Sequence, residues 1–165
     1  MTRRPISQRE LDDALELMYF GFKRLVADPD RVLARRGLGR IHHRILYFVC
    51  RLPALSMGRL LRELGVTKQA VHEPVRALLR RGFVTATADP RDRRVRRLSP
   101  TPAGIELERQ LTGLQHARLA QVFGEAGPTA HEGWKRVMRL LGDRPEAGSE
   151  SVSEGRARPA GSRAG

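Results

Sequence analysis

The chain has 165 residues, 40% of them hydrophobic, which suits one domain of ordinary size with a real core. Lys and Arg number 31 against 18 Asp and Glu, a formal net charge of +13, and this favours a polyanionic partner: nucleic acid first, an anionic membrane surface second. The single cysteine, Cys50, excludes an internal disulfide framework, no apolar run is long enough to span a membrane, and the start MTRRPISQRELDD lacks the apolar stretch of a signal peptide, so a cytoplasmic location is expected.

The first helix is predicted from Ser7, where SQRE makes a capping box between Ser7 and Glu10. Leu11, Leu15, Met18, Phe22 and Leu25 then repeat at spacings of four and three, a narrow seam suited to another helix. Pro29 is expected to end it, with DRVLARRG as a short basic turn closing at Gly37. A second helix is read over Arg40 to Leu52, with Ile41, Ile45, Phe48, Val49 and Leu52 inward and Pro53 as its stop. LSMGRLLRELG gives a short helix from Ser56, burying Leu60, Leu61 and Leu64 and stopping at Gly65.

Thr67 caps the next helix, TKQAVHEPVRALLRRG, which Gly82 closes. Ala70, Val71, Val75, Leu78 and Leu79 share one face, but Pro74 is the seventh helical residue, where a proline costs about 3 kcal/mol. A helix starting instead at Pro74, capped by Glu73, would strand Val71 outside the core face. The expectation is therefore one continuous, kinked helix, anchored on both sides of the proline.

After Gly82, FVTATA reads as a strand, DPRDRR as a charged turn and VRRLS as the returning strand of a two-stranded hairpin. Thr101 caps a long helix with Pro102 at its first position, running to about Phe123 with Ile105, Leu107, Leu111, Leu114, Leu119 and Val122. A last helix is expected from a second capping box, Thr129 with Glu132, with Trp134, Val137, Met138 and Leu141 on one face. From Asp143 the chain is mostly Gly, Ala, Ser, Pro and balanced charges, so residues 143–165 are read as a disordered tail. The whole excess charge then belongs to residues 1–142.

Two short helices joined by a Gly-containing turn and followed at once by a basic-tipped hairpin make a winged helix-turn-helix. The fold class expected is mainly α: a winged helix-turn-helix over 38–100, with one two-stranded β-hairpin wing, and flanking long helices over 1–37 and 101–142. The apolar seams of the flanking helices exceed what one small motif can cover, which argues for dimerisation.

On these features the chain resembles the MarR family of transcriptional regulators over about residues 7–142. The carriers are MGRLLRELGVTKQAVHEPVRALLRRGFV, the wing DPRDRR and the exit SPTPAG. The family's wing pattern is an Asp, an Arg two residues on, then Leu-Thr before the next helix. Asp92, Arg94 and Thr101 match it, while Pro100 stands in place of the usual Leu, so the apolar anchor below the wing is altered. The resemblance implies a homodimer paired through its outer helices, recognition of double-stranded DNA by both helix-turn-helix units, and repression released by a small-molecule effector or by oxidation. It also implies an effector crevice between the helical region and the winged lobe; Tyr19, Phe22, His43 and Arg44 would line it, with aromatic walls and a cation for a carboxylate.

The outward positions of the second short helix are Lys68, Gln69, His72, Glu73 and Arg76. Gln69 and Arg76 are expected at base edges, since Gln pairs bidentately with adenine and Arg with guanine; Lys68 and His72 serve bases or phosphates equally well. In the wing, alternation sets Arg94 and Arg96 on one face and Arg93 and Arg97 on the other, with Arg91 beside them. By resemblance Arg94 enters the minor groove. Asp92 is an odd charge at such a tip, and is expected to pair with a neighbouring Arg and hold its shape. From Ser56 to Ser99 there are eleven Lys or Arg and four Asp or Glu, a net of +7, over half the excess in about a quarter of the chain.

The function expected is a sequence-specific, homodimeric DNA-binding regulator on a pseudopalindromic operator. The alternative is a sequence-tolerant architectural DNA-binding protein; a third reading is an accessory domain of a nucleic-acid-processing enzyme. No Gly-rich phosphate loop, nucleophile elbow or paired catalytic carboxylates occur, so the chain is not read as an enzyme. No cofactor or metal is expected: His42 and His43 are adjacent, point about 100° apart on a helix and lack further ligands. Cys50, beside an apolar face, reads as a small hydrophobe rather than a redox sensor.

Overall fold

The computed structural model describes residues 5–142, so the disorder expected of 143–165 lies outside the described residues. Helix α1 spans Gln8–Ala34 and α2 Arg40–Arg51. Strand β1 (Leu55–Ser56) leads into α3 (Met57–Leu64) and α4 (Lys68–Arg80); β2 (Val84–Ala88) and β3 (Arg96–Pro100) form the hairpin; α5 (Pro102–Ala126) and α6 (Pro128–Leu141) follow. The chain makes two compact units, one up to Val122 and one from Phe123.

In the first unit, Ser7 caps α1 with the expected box: its hydroxyl accepts from the Glu10 amide, and Glu10 Oε2 accepts from the Ser7 amide at 2.9 Å. The expected stop at Pro29 is overturned. The helix runs through Pro29 to Ala34, and the supposed basic turn is its last turns. Proline forfeits one helical hydrogen bond, but Val26, Pro29 and Leu33 are all buried, and packing on both sides of the proline outweighs that loss. His42 caps α2, its Nδ1 accepting from the Gly39 amide at 2.9 Å.

The helix-turn-helix forms as its sequence suggests. Ser56 caps α3, Gly65 ends it at φ +63°, and Thr67 caps α4. Pro74 sits inside a continuous α4, which removes the reading of a helix starting at Pro74. Val71, Val75 and Leu78 are buried on either side of it, while Ala70 is exposed.

The hairpin has the expected two strands, with Ala86 opposite Leu98 and Val84 opposite Pro100. A third strand joins them. β1 pairs antiparallel with β3 through Leu55–Leu98 and Ser56–Arg97, giving the order β1-β3-β2. Two residues are too few for periodicity to reveal.

A single core collects Leu33 of α1, Ile45, Leu46 and Val49 of α2, Leu55, Leu60 of α3, Val71 and Leu78 of α4, Val84, Leu98, and Leu107 and Leu111 of α5. The start of α5 is tied to the turn after α4. The Thr101 hydroxyl donates to the Gly82 carbonyl at 2.6 Å and accepts from the Gly104 amide at 3.0 Å. A β-carbon on Gly104 would lie 1.9 Å from the Phe83 carbonyl oxygen, so only glycine permits this approach. By contrast, the α1 seam stays open: Leu11, Leu15, Met18 and Phe22 are all exposed.

In the second unit, α6 begins one residue before the expected cap. Gly127, at φ +83°, precedes Pro128 at the first helical position, whose fixed φ suits a helix start. Glu132 pairs with Lys135 instead of closing a box with Thr129. Phe123 packs on His131 and Trp134 at ring distances of 4.3 and 5.2 Å, and Trp134, Val137, Leu140 and Leu141 are exposed.

Candidate functional site

Burying Val71, Val75 and Leu78 turns Lys68, Gln69, His72 and Arg76 outward, and all four are exposed. Glu73 shares that surface, but its carboxylate binds Arg80 at 2.6 Å, which holds it below the ordinary carboxylate range. Arg76 makes no salt bridge among the described residues.

At the wing, Arg91, Arg93, Arg94 and Arg96 are exposed, and none of them forms a salt bridge among the described residues. The expected alternation does not reach the tip. Arg93 and Arg94 lie in a turn, and only Arg96 and Arg97 belong to β3, so the period of two applies to the last pair alone.

The expected ion pair of Asp92 is also corrected. Asp92 Oδ1 accepts from the Arg94 amide at 2.9 Å, bracing the turn through the backbone. The carboxylate that pairs with a wing arginine is Asp89, only 4% exposed. Its Oδ1 accepts from the Arg91 amide at 2.7 Å and the Asp92 amide at 3.3 Å, and its Oδ2 from Arg97 Nε. These bonds, the Arg91 amide foremost, hold its carboxyl below the ordinary aspartate range. Asp89 opens its own Asp-x-Arg triplet, Asp89-Pro90-Arg91, three residues before the one matched to the family, and its place before Pro90, where an Asp often braces a turn, is a second clue.

A cavity of about 410 Å³ opens beside α2 in the first unit. Phe22, His43 and Arg44 line it, together with Val26, Pro29, Tyr47, Phe48 and Leu64. Tyr19 does not. It lies one turn nearer the exposed start of α1, edge-on to Phe20 at 5.2 Å, and Tyr47 supplies the phenol instead. Arg40 also lines the cavity but is held by Asp30 at 2.7 Å, whereas Arg44 makes no salt bridge among the described residues.

Behind the cavity runs a buried polar chain. His43 Nε2 lies 3.4 Å from the Thr112 hydroxyl, which donates to Glu108 at 2.6 Å; Arg51 holds the same carboxylate at 2.7 Å and stacks on Tyr47. Burial lowers the proton affinity of His43, and the Glu108 carboxylate opposes this less strongly. Burial, and secondly Glu108, push the neighbouring Cys50 thiol up to about 11. No cluster of metal-ligating side chains occurs among the described residues.

With this geometry in place, the comparisons with known proteins agree with one another. A model of the MarR family matches residues 36–95. The HTH-type transcriptional regulator PetP of Rhodobacter capsulatus is 36% identical over 138 residues, covering 84% of this chain and 83% of PetP. The fold is similar to that of Streptococcus pneumoniae FabT in complex with DNA, with a TM-score of 0.70 and 18% identity over 81% of this chain and 98% of FabT. It is also similar to Bordetella bronchiseptica BpsR, whose DNA binding is regulated by 6-hydroxynicotinic acid, with a TM-score of 0.64 and 19% identity over 79% of this chain and 99% of BpsR.

Proposed function

This chain belongs to the MarR family of DNA-binding transcriptional regulators, and we propose that it works as a homodimer on a pseudopalindromic operator, as a repressor that a small-molecule effector releases. It is a regulator and not an enzyme. The observation that carries the reading is two exposed basic elements whose side chains form no salt bridge among the described residues. These are Lys68, Gln69, His72 and Arg76 on α4, and Arg91, Arg93, Arg94 and Arg96 on the wing. In helix-turn-helix proteins the N-terminal half of the second helix enters the major groove, and here that half carries Lys68, Gln69 and His72. Gln69 and Arg76 read base edges, Lys68 and His72 hold the backbone, and Arg94 enters the minor groove, where a narrow A·T-rich stretch attracts a guanidinium.

Dimerisation covers the α1 seam and the apolar face of α6, through the helices of 1–37 and 101–142. The effector binds the cavity beside α2: Phe22, Tyr47 and Phe48 supply aromatic walls, and Arg44 a cation for an acidic group. Such a protein acts in the cytoplasm, where the DNA is, and no described helix is long and apolar enough to cross a membrane.

In vitro selection of bound DNA at physiological salt tests this. A dimeric regulator enriches two-fold-symmetric sites with half-sites about one helical turn, roughly 34 Å, apart. Recovery of unenriched sequence identifies a sequence-tolerant architectural protein and overturns the operator reading.

A further inference from the structure

We propose that Asp89 and Arg97 are a positioning pair for DNA binding: they touch no DNA, and they set where the wing arginines stand. The proposal rests on the reading that the wing contacts DNA.

A tip dense in like charge should splay, and a two-stranded hairpin is marginal on its own. Here one buried carboxylate gathers the tip. Asp89 takes the Arg91 and Asp92 amides on one oxygen and Arg97 on the other. The Asp89 amide donates to the Val95 carbonyl at 2.9 Å, closing the loop that holds Arg91, Arg93 and Arg94.

Arg97 carries the tie beyond the hairpin. Its Nη1 donates to the Ala54 carbonyl at 3.0 Å. Ala54, at φ +49°, is the one non-glycine of the described residues with a positive φ, and it turns the chain from α2 into β1. The same guanidinium therefore joins the wing tip to the segment that leads into the helix-turn-helix. It also neutralises a carboxylate that would otherwise repel phosphate.

The test uses the full chain and a labelled duplex recovered by in vitro selection, read by fluorescence anisotropy across a salt series. Arg94→Ala is expected to weaken binding about tenfold and, because a dimer carries two wings, to lower the salt slope by about 2. Asp89→Ala and Arg97→Ala should each do the same, with circular dichroism showing folded protein. The double variant Asp89→Ala/Arg94→Ala should bind within about twofold of the weaker single variant, because a misplaced arginine has little left to lose. Losses that multiply, single variants that bind like the unaltered protein, or a salt slope left unchanged would overturn the pair's role. So would failure of both Asp89→Ala and Arg97→Ala to fold, which would make the pair part of the core. Unchanged binding by Arg94→Ala would instead remove the wing contact itself, and the proposal with it.

Discussion

Cys50 and His43 show how burial decides the chemistry of single residues. With its thiol pushed up to about 11, Cys50 is ionised in only about one molecule in ten thousand at pH 7. Labelling of the native protein by a thiol-specific disulfide reagent should be slow at neutral pH and should accelerate only in strong alkali. Rapid neutral labelling would restore a redox role. His43 is held neutral by burial, and on unfolding its ring returns to an ordinary proton affinity. As the pH falls through the ordinary histidine range, near about 6.5, the unfolded chain takes up the proton first, so stability is full above that range and declines below it. His42 shifts in the same direction, for the same leading reason. The melting temperature of His43→Gln should therefore fall less between about pH 7 and pH 5 than that of the unaltered protein. Equal falls would exclude His43 as the group responsible.

Among the elements, α4 carries the clearest local conflict. Pro74 interrupts the hydrogen-bond ladder at the Ala70 carbonyl, yet Val71, Val75 and Leu78 hold both halves on the core. Pro74→Ala should restore one bond and raise stability by up to about 3 kcal/mol. Calorimetry measures this directly. If the proline tilts the N-terminal half of the helix, the same change should also shift base preference at the position proposed for Gln69. A selected site identical to that of the unaltered protein would separate the proline from recognition. The same physics explains Pro29, where packing again carried a helix through a residue that local rules treat as its end.

For the whole molecule, two properties should change together. Leu15 and Met18 lie on the open α1 seam, 63% and 42% exposed in the single chain. Placing Glu at both should convert a dimer into a monomer by sedimentation and weaken operator binding severely, since each half-site then binds alone. A variant that stays dimeric would move the interface elsewhere. An interface built on roughly six or more phosphate contacts loses affinity by orders of magnitude between low and physiological salt, and that is the response expected of the proposed dimer. A flat salt response would exclude an interface built on these arginines.

Sequence alone determined the helices and their order, the hairpin, the winged helix-turn-helix and the exposed polar stripe of α4. These rest on caps, glycine stops and helical periodicity, which are local signals that packing here reinforces. The direction of Lys68, Gln69, His72 and Arg76 followed from the apolar face behind them. Only the tertiary structure decided the rest. It carried α1 through Pro29, because Val26 before the proline and Leu33 after it are both buried. It paired β1 with β3, assigned the brace of the wing to Asp89 through Arg97 and Ala54, and replaced Tyr19 by Tyr47 in the cavity. Each of these depends on groups far apart in the chain, and no periodicity records which distant carbonyl a guanidinium will reach.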